Sequence, residues 1–64
     1  MDRVEKVKNH LFDMTLDAIQ EYKETGKEKA AYALFALLEM ADKLDWLSEL
    51  EEKAKEAGMD VHFS

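Results

Sequence analysis

The stretch EKAAYALFALLEMAD, residues 28–42, decides the fold. Between Ala30 and Ala41 the only charged residue is Glu39, and every other residue is apolar. Five apolar residues, the last of them just after this stretch, recur at the spacing of one side of an α-helix: Leu34, Leu37, Leu38, Ala41 and Leu44. This spacing predicts a central helix whose leucine edge faces a neighbouring helix.

Two aromatic residues lie on the other side of this predicted helix. Tyr32 and Phe35 are placed opposite the leucine edge and beside Glu39. A helix that packs only on the leucine edge cannot cover both rings. Aromatic side chains commonly anchor interfaces, and an exposed apolar patch of this kind rarely stays bare. The cover could come from a third helix, from a second copy of the chain or from a foreign protein.

The residues before this stretch predict a first helix over residues 2–24. Its apolar residues are spaced three and four apart: Val4, Val7, Leu11, Met14 and Ala18, widened by Phe12, Thr15, Ile19 and Tyr22. Asp2 suits the N-cap. In TGKE at 25–28, Gly26 can end this helix, while Thr25 and Glu28 have the spacing of a capping box. The tight turn predicts that the second helix, residues 27–42, lies antiparallel to the first.

The apolar face changes sides around residues 42–45. Either the chain bends there, with Asp42 or Asp45 as the N-cap of another helix, or one long helix serves a different partner along each half. The bend predicts a third helix over residues 45–57 that ends at Gly58. In this helix Glu49 precedes Lys53 by four residues, which favours an ion pair on the outer face.

The last residues, 59–64, show a different pattern. Met59, Val61 and Phe63 alternate with polar residues, which predicts an extended tail with one apolar side. Such a tail could fold back over the helices or add to the sheet edge of a partner, and a frayed terminus is the alternative. The predicted fold is therefore all-α: a small three-helix bundle, or a helical hairpin completed by dimerisation, with an extended C-terminal tail.

Composition narrows the function classes. The 64 residues predict one small domain, 1–64, whose own core gives marginal stability. Without cysteine, and with two histidines, the chain has neither a disulfide nor the usual ligands of a closed zinc site, so a partner is expected. The net charge of −6 disfavours direct binding to nucleic acid or anionic lipid. We expect a cytoplasmic protein, because no signal peptide or membrane span is visible. We also expect that it has no cofactor.

These features favour a small protein–protein interaction module, a regulator or inhibitor that docks on another protein and forms a homodimer. The predicted interaction surface has six residues: Tyr32, Phe35, Glu39, Trp46, Leu47 and Leu50. We expect no enzymatic activity, because neither serine has a histidine at a spacing that predicts proximity and no glycine-rich phosphate loop is present.

Two other functions are open. Carboxylates on the third helix could imitate nucleic-acid phosphates and block a nucleic-acid-binding protein; the candidate face is Glu49, Glu52 and Glu56. Nearby lysines interrupt this array, which suggests a solvated face instead. Four side chains along one ridge of the first helix could hold a metal ion: His10, Asp13, Asp17 and Glu21. Helix exteriors are commonly built from such residues, and no second ligand-bearing helix accompanies them.

Overall fold

The computed structural model describes residues 2–62, and within that range the chain is all-α, with three helices and no strand. Helix α1 spans Arg3–Thr25, α2 spans Glu28–Lys43 and α3 spans Leu47–Glu56. Each bound lies within two residues of its predicted position, so the three-helix prediction is confirmed. Phe63, which the predicted tail includes, lies outside the described residues. Within residues 2–62, no helix combines the length and the hydropathy of a transmembrane span.

The first helix begins and ends as predicted. The Asp2 carboxylate accepts a hydrogen bond from the backbone N–H of Val4 at 3.1 Å, which confirms Asp2 as the N-cap. Gly26 has a left-handed backbone, φ 66°, and its N–H donates to the Tyr22 carbonyl at 2.8 Å. Because only two residues then separate α1 from α2, the two helices form an antiparallel hairpin.

The predicted capping box at the start of α2 is wrong. Lys27 is the N-cap residue and makes no side-chain cap hydrogen bond. Thr25 is still the last residue of α1, and its hydroxyl donates to the Glu21 carbonyl at 2.9 Å while accepting from the Lys27 N–H at 3.3 Å. The threonine hydroxyl therefore serves the end of α1, because the helix continues up to the glycine.

The chain bends between α2 and α3, as predicted, but the predicted N-cap is wrong. Asp42 is inside α2, and Asp45 has a left-handed backbone, φ 60°, whereas an N-cap needs an extended one. The Asp45 N–H donates to the Asp42 carbonyl at 3.1 Å, and the Trp46 N–H donates to the Ala41 carbonyl at 2.7 Å. This is the Schellman pattern that ends a helix, with aspartate at the position usually held by glycine.

The core lies where all three helices meet. Its main cluster is Leu11, Phe12, Ala18, Leu37, Ala41 and Leu50. Trp46 packs on this cluster, and its ring meets Phe12 edge to face with the centroids 6.3 Å apart. Thr15 is fully buried and donates its hydroxyl to the Leu11 carbonyl at 2.7 Å. The core polar group is thus satisfied within its own helix.

The leucine edge of α2 faces the core along only part of its length. Leu37 and Ala41 are buried and Leu34 and Leu38 are half-buried, as predicted. Leu44, predicted to face the first helix, is 53% exposed, so that part of the prediction is wrong. The reason is that α2 ends at Lys43, and a residue beyond the last turn no longer follows the helical spacing.

Candidate functional site

The surface of residues 2–62 carries more large apolar side chains than its core. The buried hydrophobic residues number nine, four of them alanines. The large apolar side chains left exposed number eight: Val4, Val7, Met14, Tyr22, Tyr32, Phe35, Met40 and Leu44. Scattered exposure of this kind is ordinary, but several of these side chains are grouped, and grouped ones indicate a contact surface.

The most exposed group lies on α2 and is called the outer ridge. It consists of residues spaced four, three, four and four apart, all exposed: Glu28, Tyr32, Phe35, Glu39 and Lys43. This spacing keeps them on the side of α2 opposite the buried Ala30, Leu37 and Ala41. Tyr32 is 68% exposed and Phe35 is 64% exposed, so neither ring is covered by the described part of the chain.

The charges of the outer ridge differ at its two ends. Glu28 lies in the first turn of α2 and Lys43 in the last, where each complements the helix dipole. The Lys43 Nζ lies 3.6 Å from the Glu39 Oε1, and both side chains are largely exposed. An ion pair this exposed contributes little to stability and can exchange partners easily. The ridge is therefore acidic at its start, aromatic in its middle and basic at its end.

A second apolar surface, the terminal groove, lies at the start of α1 beside the bend. It is lined by Arg3, Val4, Val7, Leu44 and Trp46, with a volume of about 300 Å³. Apart from Arg3, every lining residue is apolar. The groove exists because α1 has 23 residues and α2 has 16, so the first turns of α1 extend past the end of α2.

A third groove, between α1 and α3, contains the predicted acidic face. It has a volume of about 250 Å³ and is lined by Glu5, Lys8, Asn9, Phe12, Glu49, Glu52, Lys53 and Glu56. The Lys8 Nζ lies 2.8 Å from the Glu49 Oε2 and 3.2 Å from the Glu5 Oε1. The pKa of Lys8 is raised, mainly by its hydrogen bond to Glu49 and to a lesser extent by its hydrogen bond to Glu5. Glu49, predicted to pair with Lys53, instead contacts Lys8 of another helix.

This pairing weakens the case for an acidic nucleic-acid mimic. The cations Lys8 and Lys53 line the same groove as Glu49, Glu52 and Glu56. A carboxylate bound to an ammonium at 2.8 Å does not present a free negative charge to a partner. The array is therefore partly neutralised within the chain.

The structure separates the six residues of the predicted interaction surface. The outer ridge holds three of them: Tyr32, Phe35 and Glu39. Trp46 lines the terminal groove. Leu47 is half-buried against the core, and Leu50 is fully buried within it. Both side chains stabilise α3 on the hairpin, and Leu50 has no surface left to offer a partner in a single copy.

Sequence reasoning did not identify the terminal groove. It placed Val4 and Val7 in the apolar stripe of α1 and Leu44 in the leucine edge of α2. The available signal was the predicted length of each helix, because a hairpin with a longer first helix must leave the apolar residues of its first turns beyond the end of the second.

The residues of the predicted metal ridge remain apart from other ligands. The four side chains are exposed on α1: His10, Asp13, Asp17 and Glu21. Among residues 2–62, no group of three or more histidine, cysteine, aspartate or glutamate side chains is arranged to hold a metal ion. The metal hypothesis therefore has no geometric support in this range.

Comparison with known proteins adds no relative. No protein-family model, no curated protein and no solved structure matches this chain. The outer ridge and the terminal groove are therefore the features on which a function can be based.

Proposed function

We propose that this protein is a small protein–protein interaction module, a regulator or inhibitor that docks on another protein and works as a homodimer. The observation that carries this proposal is the exposure of Tyr32 and Phe35, one turn apart on the outer side of α2. Aromatic rings are enriched among the residues that contribute most to binding. Removing one such ring from water is worth about 1.5–3 kcal/mol. A partner that covers both rings therefore gains substantially.

The terminal groove is the surface that we assign to the other protein. Its walls are apolar, with Val7, Leu44 and Trp46 among them, and its volume of about 300 Å³ suits inserted side chains. Arg3 at the groove favours a carboxylate beside that insertion. We therefore expect the partner to present an apolar side chain next to an acidic residue.

The step from docking to regulation depends on what docking does to the partner. A module that covers part of another protein's surface changes what else can bind there. Blocking or altering that surface is regulation or inhibition, and it requires no chemistry from the module itself.

We also propose that the C-terminal tail is extended and lies against α3. Met59 and Val61 are half-buried, whereas Asp60 and His62 are exposed, which is the alternation expected of an extended segment with one apolar side. The His62 Nδ1 lies 3.5 Å from the Glu51 Oε1 of α3. These contacts support a tail that covers α3 rather than one that is free to join a partner's sheet.

The docking proposal is tested by capture from cell extract followed by mass spectrometry. Immobilised wild-type chain is compared with Val7→Glu and Leu44→Glu, which place charge in the terminal groove. The control is Met14→Glu, another exposed apolar position on α1 outside the groove. Circular dichroism checks that all four proteins keep their helix content.

We expect the wild type and Met14→Glu to capture the same protein in similar amounts. The amount captured by each groove variant should be lower by at least about tenfold. Equal capture by all four proteins, or no capture by the wild type, would contradict the proposal.

A further inference from the structure

We infer that two copies of this chain bind each other along the outer ridge with their α2 helices antiparallel. This inference rests on the proposal that the protein works as a homodimer, and it specifies the surface, the orientation and the residue pairs. The midpoint of the outer ridge lies between Phe35 and Ala36.

The outer ridge is complementary to itself. Tyr32 and Glu39 are equally distant from the midpoint, and so are Glu28 and Lys43. A twofold axis through the midpoint would therefore place Tyr32 of one copy beside Glu39 of the other, and Glu28 beside Lys43. In a twofold dimer, if residue i of one copy contacts residue j of the other, then j also contacts i. The interacting surface must therefore be complementary to itself, as the outer ridge is.

Charge selects the antiparallel orientation. In a parallel pair Glu28 would face Glu28 and Lys43 would face Lys43, which places like charges together at both ends. In the antiparallel pair each end brings a carboxylate against an ammonium, and the helix dipoles also oppose one another. The Lys43 ammonium has three donors, so it can bind a second carboxylate while keeping its contact with Glu39.

The middle of the ridge provides the apolar contact. Phe35 lies next to the axis, so the two Phe35 rings would meet across it, and the small side chain of Ala36 allows the helices to approach closely. The Tyr32 hydroxyl would donate to the Glu39 carboxylate of the other copy. Both aromatic rings of each outer ridge are then covered by one partner.

A second copy suits this surface better than an unrelated protein because the ridge itself carries, at matching distances from its midpoint, the carboxylate and the ammonium that an antiparallel copy needs. Each chain carries a net charge of −6, so two copies repel unless a cation lies at the contact. Lys43 of one copy supplies that cation at one end of the antiparallel pair, and Lys43 of the other copy supplies it at the other end. The seam is short, since α2 has 16 residues and is about 24 Å long. We therefore expect a weak dimer, with a Kd on the order of 10–100 µM.

The first test exchanges the charges. Glu28→Lys and Lys43→Glu each place like charges at both ends of the antiparallel pair, and each should weaken self-association at least roughly tenfold in sedimentation equilibrium. An equimolar mixture of the two variants should recover wild-type affinity as a heterodimer, because opposite charges then meet at both ends. The controls are Glu24→Lys and Lys6→Glu, the same charge changes at exposed positions of α1.

The second test determines orientation, using the absence of cysteine in the chain. Under mild oxidation Ala36→Cys, beside the axis, should form a disulfide-linked dimer. Glu28→Cys should not link to itself, because the two residues would be about 22 Å apart, but it should link to Lys43→Cys in a mixture. Self-linking of Glu28→Cys would show a parallel pair and overturn the inference.

The remaining outcomes separate this inference from the proposed function. A wild-type chain that stays monomeric up to about 1 mM overturns the homodimer, while docking at the terminal groove is still decided by its own variants. A dimer that is unaffected by the ridge variants overturns the outer ridge as the seam and leaves the homodimer standing. Circular dichroism confirms that the ridge variants are folded, which is expected because each substitution is exposed.

Discussion

The Nζ of Lys8 lies 2.8 Å from the Oε2 of Glu49, and this ion pair joins α1 to α3. The Lys8 side chain is only 14% exposed. A second carboxylate, Glu5, lies 3.2 Å away on the same helix. The core contact of Leu50 holds α3 on the hairpin, and the Lys8–Glu49 ion pair adds a polar contact at the edge of this ten-residue helix.

Replacing Lys8 with glutamine should lower the free energy of unfolding, and the loss should depend on pH. The folded-state pKa of Lys8 is raised above its ordinary 10.5 by its hydrogen bonds to Glu49 and Glu5. The stability that comes from this group is therefore fully present below pH about 10.5 and is lost as the pH rises through the higher folded-state pKa. Urea unfolding of Lys8→Gln and wild type between pH 7 and pH 11.5 or so measures the difference.

The difference should be constant at neutral pH and should shrink at the alkaline end. Lys6→Gln is the control, since Lys6 is an exposed lysine of the same helix and turn. An equal effect of the two substitutions at every pH would show that Lys8 acts only through net charge.

The same leucine substitution should have very different effects at two positions. Leu50 is completely buried, so Leu50→Ala leaves a cavity and should cost roughly 2–5 kcal/mol of unfolding free energy. Leu44 is 53% exposed, so Leu44→Ala should cost less than about 1 kcal/mol. Chemical denaturation measures both values. Similar costs at the two positions would mean that α3 does not pack on the hairpin as described.

Asp45→Gly should stabilise the protein. The left-handed backbone at this position, φ 60°, costs a residue with a side chain roughly 1 kcal/mol that glycine does not lose. We expect a gain of some tenths of a kcal/mol, up to about 1. Asp42→Gly, inside the last turns of α2, is the matched control and should instead destabilise by a few tenths of a kcal/mol. Thermal melts of both variants test the sign at each position.

Thr15→Val should change the unfolding free energy by less than about 1 kcal/mol. The Thr15 hydroxyl is buried and donates to the Leu11 carbonyl. In an α-helix this carbonyl also accepts the backbone N–H of Thr15, so it keeps a hydrogen bond when the hydroxyl is removed. Valine has nearly the same shape and leaves no buried donor without a partner. Calorimetry measures the change, and a loss above about 2 kcal/mol would show that the hydroxyl has a further role.

The helices could be predicted from the sequence because their signals are local. The spacing of apolar residues, Asp2 at the first N-cap and Gly26 at the first helix end all act within one or two turns. The capping details of α2 and α3 could not be predicted from residue type. Thr25 and Asp45 are each suited either to end one helix or to cap the next. The point at which the preceding helix ends decides between the two roles, and both residues end the preceding helix.

The division of the apolar residues between core and surface was harder to predict, because it depends on the ends of neighbouring helices. Leu44 and Leu50 both belong to apolar stripes in the sequence, yet one is exposed and the other fully buried. Likewise Glu49 has a suitable partner four residues away but binds Lys8 of another helix. Such long-range choices follow from packing and have no signature within a single turn.

The position of the terminal groove has a consequence for how strongly a dimer can hold a target with repeated binding elements. Leu44 lies just beyond the end of α2, so the proposed antiparallel pairing places the two grooves at opposite ends of the seam, separated by about the 24 Å length of that helix. A target that repeats its own binding element at such a spacing would be held twice. Its retention would then rise through avidity, and a weak groove would become an effective one without any new contact.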